Sequence, residues 1–311
     1  MLTDAFVTGG FGLLGLNILL HEPPPYKFRT LIHTKQLNLP NVQLTEMDLG
    51  CLHSIEEGLK INTPKVMIHT AGMTNVEGCN NDPDAANFIN GILPRNLAKV
   101  CCDLGIKFVH ISTDHLFDGT ERFVCEETSP KPLNAYGYSK ALGEEGVLQN
   151  NKDALIVRCN FFTWGPSYRC SFSDFIYNNL FNGQSITLVD DVYYTPALAQ
   201  NLIDTILALL SKDASGIYNV VGSERLSKYE FGMKMAKTFN QSSDLIKQGT
   251  WSSLGAKAIR PYDMSLSDNK LCNFLGYDLG SSRQNIQDLK ALMGTKLFDK
   301  VKFLIFIASR I

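Results

Sequence analysis

Ala5-Phe6-Val7-Thr8-Gly9-Gly10-Phe11-Gly12-Leu13-Leu14-Gly15 is the stretch on which the fold turns. Residues 5–8 are apolar and partly β-branched, which predicts a short buried strand. Gly9, Gly12 and Gly15 follow at three-residue spacing, and an apolar run over 13–20 predicts a helix. Glycines let a chain turn tightly and let a ligand touch the bare backbone. A helix start offers free N–H groups and the positive end of its dipole to an anion. Strand, glycine turn and helix together therefore point to a dinucleotide pyrophosphate; the glycines alone would signal only a turn.

Outward from this turn the chain alternates strand and helix. Phe28-Arg29-Thr30-Leu31-Ile32-His33 reads as a second strand, residues 42–49 as a third, Lys65-Val66-Met67-Ile68-His69-Thr70 as a fourth, Lys107-Phe108-Val109-His110-Ile111-Ser112 as a fifth and Ala154-Leu155-Ile156-Val157-Arg158 as a sixth. Helices are expected over 51–60 and 83–104, with Pro94 a kink or break in the second. This order predicts an α/β protein, a Rossmann-type doubly wound parallel sheet. Past Cys159 the pattern loosens, with helices near 172–182, 196–211 and 227–239 and short strands near 185–189 and 217–221. The expected division is a Rossmann domain over 1–160, with return segments near 195–221, and a smaller, interleaved C-terminal substrate domain over 161–311.

Asp or Glu about 20 residues past the glycines commonly holds the ribose hydroxyls of NAD. Here His33, Thr34 and Lys35 stand there instead, and these groups would tolerate a 2′-phosphate. That favours NADP(H) and leaves NAD(H) open, as does reading Lys35 as a solvated charge. Ala71-Gly72 after the fourth strand are small enough to leave room for a ligand.

Net charge of −2 leaves no electrostatic footprint for nucleic acid. The apolar runs fall short of the ~20 residues of a spanning helix, and Met1-Leu2-Thr3-Asp4 lacks a basic leader, so no membrane association and a cytoplasmic location are expected. None of the eight cysteines forms a C-x-x-C pair; they read as reduced, mostly buried thiols, and no metal site is expected. The apolar tail over 301–308 fits a buried strand, an oligomer contact or a membrane touch, with burial favoured; a homodimer stays open.

Tyr136 and Lys140 stand four residues apart in Asn134-Ala135-Tyr136-Gly137-Tyr138-Ser139-Lys140, on one face of an expected helix. A phenol ordinarily titrates near pH ~10. A nearby ammonium lowers that value and makes the phenol a usable acid or base. Taken alone, the pair reads as a phenol packed on a helix face beside a solvated charge. What precedes it decides.

The glycine turn, a hydroxyl after the fifth strand and Tyr-x-x-x-Lys on the next helix together resemble the extended short-chain dehydrogenase/reductases. Within them the chain looks like the dTDP-4-dehydrorhamnose reductases. The likeness is carried by Ile111-Ser112-Thr113-Asp114-His115-Leu116-Phe117-Asp118-Gly119, by Pro132-Leu133-Asn134-Ala135-Tyr136-Gly137-Tyr138-Ser139-Lys140, and by Arg260-Pro261 with Ser265-Leu266 and Lys270. It covers the chain to about residue 295. The resemblance implies Thr113 as the hydroxyl that orients a carbonyl, Tyr136 as proton donor, and Lys140 as the residue that binds the nicotinamide ribose and lowers the tyrosine. It implies Gly9, Phe11, Gly12, Leu13 and Gly15 at the pyrophosphate, Asp48 and Leu49 by the adenine, and Ala71 and Gly72 at the nicotinamide half. Thr74, Asp114, Asn160, Phe161 and Arg260 are the substrate candidates, Arg260 as a fork for a diphosphate or as a structural salt bridge. Ser112 and Tyr138 should face away from the cleft.

The activity implied is NAD(P)H-dependent reduction of a 4-keto sugar nucleotide, a small-molecule substrate. His115 stands where the family often has an aromatic residue. It also replaces the Glu of the dehydrating relatives, which argues against a 4,6-dehydratase. Three other readings remain: an epimerase of the same family; a non-catalytic NADP-binding subunit resembling the β subunit of methionine adenosyltransferase; and a purely structural Rossmann domain, which would leave Thr113, Tyr136 and Lys140 idle.

Overall fold

Seven parallel strands form the central sheet of the computed structural model, which describes residues 4–31, 36–37, 39, 41–255, 258–302 and 306–307. They are β1 (Asp4–Thr8), β2 (Lys27–Leu31), β3 (Val42–Thr45), β4 (Val66–His69), β5 (Lys107–Thr113), β6 (Leu155–Cys159) and β7 (Gly216–Asn219). Their order across the sheet is β7-β6-β5-β4-β1-β2-β3, a doubly wound arrangement.

Alternation along the strands explains the layers. Ala5 and Val7 of β1 join a core under α1 (Leu13–Leu19) and α6 (Ala199–Ser211), with Leu16, Leu202 and Ile206. Phe6 faces the opposite way, into a core with Ile55 of α2 (Leu52–Ile61), Leu97 of α3 (Leu93–Asp103) and Val147 of α4 (Ala135–Asn150). Strands buried on both faces read as continuous apolar runs, which is why 5–7, 66–68 and 155–157 are recognisable in sequence.

Two departures from expectation stand out. Residues 83–103 do not break at Pro94. A helical turn over Pro83–Asn87 passes into one π turn, Phe88–Ile92, and then into α3, with Pro94 in its first turn. The cysteines are free, as expected, yet Cys51, Cys102, Cys125 and Cys170 are exposed and only Cys79, Cys101 and Cys159 are buried.

Helix α4 carries Gly137, Gly143 and Gly146, each worth up to about 1 kcal/mol against helix formation. Close approach offsets that cost: a Cβ on Gly143 would lie 2.2 Å from the Asn90 carbonyl oxygen. The Asn134 side chain caps the helix by accepting from Gly137 N at 2.9 Å. Thus α4 lies pressed onto the π turn, and its first two turns point at the sheet's C-terminal edge.

The second lobe has its own core. Trp164, Ile176, Leu188, Phe231 and Ile286 bring together α5 (Phe172–Phe181), α7 (Lys228–Thr238) and α8 (Ser282–Ala291). Ser171 and Ser227 close capping boxes at the starts of α5 and α7. Strand β7 and α6 return to the large sheet, so the lobes interleave. Of the apolar tail, Val301 is buried and the backbone of Phe306–Ile307 pairs antiparallel with Gln36–Leu37; 303–305 and 308–311 lie outside the described residues. No helix among the described residues is long and apolar enough to cross a membrane.

Candidate active site

The C-terminal ends of β1, β4 and β5 open into a cleft of about 1060 Å3. It lies where the strand order reverses beside β1, the place where ligands collect in such sheets. The glycine turn forms one wall. Gly9 is left-handed (φ 70°) and its carbonyl accepts from Gly12 N at 2.8 Å. A Cβ on Gly15 would lie 2.3 Å from that same oxygen, whereas one on Gly12 would meet it at 3.2 Å and otherwise only the Arg169 guanidinium at 3.9 Å. Gly12 leaves a bare main-chain cradle open to the cleft.

The second wall follows β4, through Ala71, Gly72, Met73 and Thr74. Asn90, buried in the π turn, braces it. Its Oδ1 accepts from Met73 N and its Nδ2 donates to Met73 O, each at 2.9 Å; Nδ2 also donates to Ser139 Oγ on α4 at 3.0 Å. A single π turn at a functional site is a recurring device.

The third wall is β5 with α4. Thr113, Tyr136 and Lys140 are all buried at the cleft. Burial pushes the Tyr136 phenol well above 10, and the Thr113 hydroxyl, by hydrogen bonding, opposes that shift. Lys140 Nζ donates to Ile111 O at 2.7 Å and lies 3.3 Å from His110 Nε2. Its burial lowers the ammonium to about 8, against the pull of Glu144. The expectation that Lys140 depresses the phenol therefore differs from what is found. The ammonium is turned toward β5, and desolvation outweighs the hydrogen bond at Tyr136. Beneath Lys140, His110 stacks on His69 at 5.4 Å, and His69 Nδ1 lies 2.6 Å from Thr8 Oγ1. Burial, then the nearby Lys140, lowers both imidazoles, His69 to about 3, so both are neutral near pH 7.

The second lobe closes the cleft. Asn160 Nδ2 donates to Asp114 Oδ2 at 2.6 Å. His115 packs edge-on against the Tyr136 ring at 5.4 Å and is held below its usual range, chiefly by burial. Arg260 lies 4.6 Å over the Trp251 ring, its buried Nε without a hydrogen-bond partner. Lys228, 3.2 Å over the Tyr194 ring, is lowered to about 7 by burial, opposed by Asp114. Among the described residues no cluster of His, Cys, Asp and Glu could hold a metal ion.

The sequence profile of the RmlD substrate binding domain matches residues 4–293. The chain belongs to this family. A probable low-salt glycan biosynthesis reductase of Haloferax volcanii is 32% identical over 291 residues, which are 91% of this chain and 95% of that one. The methionine adenosyltransferase 2 subunit beta of Xenopus laevis is 29% identical over 276 residues, covering 86% and 81%. The dTDP-4-dehydrorhamnose reductase of Bacillus anthracis, solved in complex with NADP, has the same fold, with a TM-score of 0.83 at 24% identity over 94% of this chain and 99% of that one.

Against this RmlD-family frame the expected residues sort as follows. Gly9, Phe11, Gly12, Leu13, Gly15, Leu49, Ala71, Gly72 and Thr74 line the cleft with Thr113, Asp114, Tyr136, Lys140, Asn160, Phe161 and Arg260. Asp48 does not: it is exposed, and its carboxylate accepts from Gly50 N in its own turn. His33 and Lys35 lie outside the described residues. Ser112, expected to face away, also borders the cleft, with its hydroxyl buried and unpartnered. Tyr138 is exposed. Arg260 makes no ion pair among the described residues. Sequence reading missed Asn90, His110, Arg169 and Lys228. Asn90 alone had a local signal, a polar residue on the buried face of an apolar helix.

Proposed function

We propose that this chain is an NADPH-dependent reductase of a 4-keto sugar nucleotide. The observation that carries the reading is the convergence of Thr113, Tyr136 and Lys140 on one cleft with the open cradle at Gly12. Membership of the RmlD family and the likeness to a reductase support it. The cofactor is a nicotinamide dinucleotide, and His33, Thr34 and Lys35 in the sequence favour NADP(H) over NAD(H).

Gly9, Gly12, Gly15, Leu49, Ala71 and Gly72 would hold the dinucleotide, and Lys140 its nicotinamide ribose. When bound, the reduced nicotinamide supplies a hydride to the carbonyl carbon. The chain's own residues do the rest. Thr113 Oγ1 holds the carbonyl oxygen, and Tyr136 Oη, protonated near neutrality because burial favours the neutral phenol, gives that oxygen its proton. Lys140, its ammonium fixed at β5 by Ile111 O, would serve the ribose and not the phenol. Asp114 and Asn160, at the ends of β5 and β6, and Arg260 from the second lobe would meet the substrate.

The test follows NADPH and NADH absorbance with a panel of 4-keto sugar nucleotides. Stoichiometric loss of the reduced cofactor with one alcohol product formed supports the reductase. Product without net cofactor loss would mean an epimerase. The likeness to the adenosyltransferase β subunit keeps a second reading, a non-catalytic dinucleotide-binding subunit. NADPH binding without oxidation across the panel, together with copurification of a larger enzyme, would favour it.

A further inference from the structure

Arg169 belongs to the second lobe, yet its guanidinium reaches the glycine turn. Nη2 donates to Thr74 Oγ1 at 3.2 Å, and Nη1 lies 3.9 Å from where Gly12 would carry a Cβ. The loop that bears it is built rather than loose. Gly165 N donates to the buried Asp174 carboxylate at 2.7 Å, Arg169 N donates to Pro166 O at 3.0 Å, and a side chain on Gly165 would strike the Arg169 carbonyl oxygen. The neighbouring Tyr168 Oη donates to Phe11 O at 3.1 Å, so the loop is pinned to the glycine turn itself. Among the described residues no carboxylate pairs with Arg169. A planar fork of N–H donors, held over exposed main chain with one neutral hydroxyl as partner, matches a phosphate oxygen pair.

We infer that Arg169 is a clamp for the dinucleotide pyrophosphate, delivered from the second lobe across the Gly12 cradle; this rests on the dinucleotide reading above. Its position selects among phosphates. The 2′-phosphate of NADP would lie beyond the end of β2, away from Gly12 and Thr74. A substrate diphosphate would fall to Arg260, which lines the cleft with Asp114 and His115.

The test is direct binding, by NADPH fluorescence and by calorimetry for NADH, to the full chain and to Arg169→Ala and Arg169→Lys. Loss of a charge-assisted fork predicts about a tenfold weaker Kd for Arg169→Ala, with Arg169→Lys between. NADPH and NADH should weaken by the same factor, since they share the pyrophosphate, and the loss should shrink as salt rises. Arg169 is exposed, so both variants should fold, which circular dichroism checks. A loss for NADPH alone would assign the guanidinium to the 2′-phosphate and overturn the clamp. An unchanged Kd with a raised KM for sugar nucleotide would assign it to the substrate, also overturning it, as would no change in either. Failure of the unaltered chain to bind any dinucleotide would instead sink the functional reading and the clamp with it.

Discussion

Tyr136 and Lys140 are set by burial in opposite directions, and each direction gives a measurable consequence. Tyr136→Phe keeps the ring against Val76, Cys79 and Ala86 and removes the hydroxyl that carries the proton. Turnover should fall by about 10²–10⁴-fold, with NADPH affinity within about twofold of the parent; turnover at the parent rate would refute the assignment. For Lys140 the unfolded chain keeps its proton up to the usual 10.5, the folded chain only to about 8. Between those values the unfolded state binds more protons, so stability rises with pH there, and below pH 8 the cost of the buried charge is fully present. Lys140→Met removes that cost, on the order of 3 kcal/mol for such a shift. The variant's stability minus the parent's should be most positive below pH 8 and fall toward pH 10.5. Urea melts at pH 7 and pH 10 read the difference directly. A pH-independent gap would mean that the ammonium is not a desolvated charge.

At the scale of elements, the glycine turn separates packing from binding within one motif. Gly15→Ala forces a Cβ to 2.3 Å from the Gly9 carbonyl oxygen and 2.9 Å from the Gly10 Cα, backbone that cannot yield. It should destabilise the chain by several kcal/mol, on the order of other overpacked sites. Gly12→Ala meets one backbone oxygen at 3.2 Å and otherwise open cleft. It should melt near the parent temperature yet lose dinucleotide binding, as thermal melts paired with NADPH titration will read. The same contrast explains what was legible. Strand, turn and helix over 4–19 and Tyr136 with Lys140 were readable because their signals are local: β-branched runs, glycine spacing, four-residue helical spacing. The π turn was not, because Pro94 is compatible with a kink or with the start of a helix, and the choice is made by Asn90 bonding to Met73 across the fold. Arg169 was hidden for the same reason: it reaches the cleft from the second lobe, and nothing nearby in sequence marks it. Asp48 failed conversely, since its carboxylate closes its own turn.

Across the whole molecule, the last described helix lies beyond the family match, which ends at 293, yet it touches both cores. In Lys296–Lys302, Val301 is buried among the residues under the sheet, with 2% exposure, while Phe298 meets Trp164 edge-on at 5.7 Å in the core of the second lobe. Lys302 pairs with Asp174, the carboxylate that also accepts from Gly165 N and Ser171 N, and its ammonium lies 5.4 Å over the Trp164 ring. Lys300 pairs with Glu22, which follows α1. The exposed Lys300–Glu22 pair adds little by itself; the apolar contacts, with the loss of a cation from the buried Asp174, should carry the effect. Burying a valine contributes about 1.5–3 kcal/mol and an aromatic edge contact about 0.5–1.5. Ending the chain at Gly294 should therefore cost about 3 kcal/mol, lower the denaturant midpoint, and leave the slope of the transition nearly unchanged, since few residues are removed. In a Trp251→Phe background the emission of Trp164 should also shift to the red as its covered face meets water. A truncated chain with the parent midpoint and unshifted emission would mean that the two lobes hold together without this clasp.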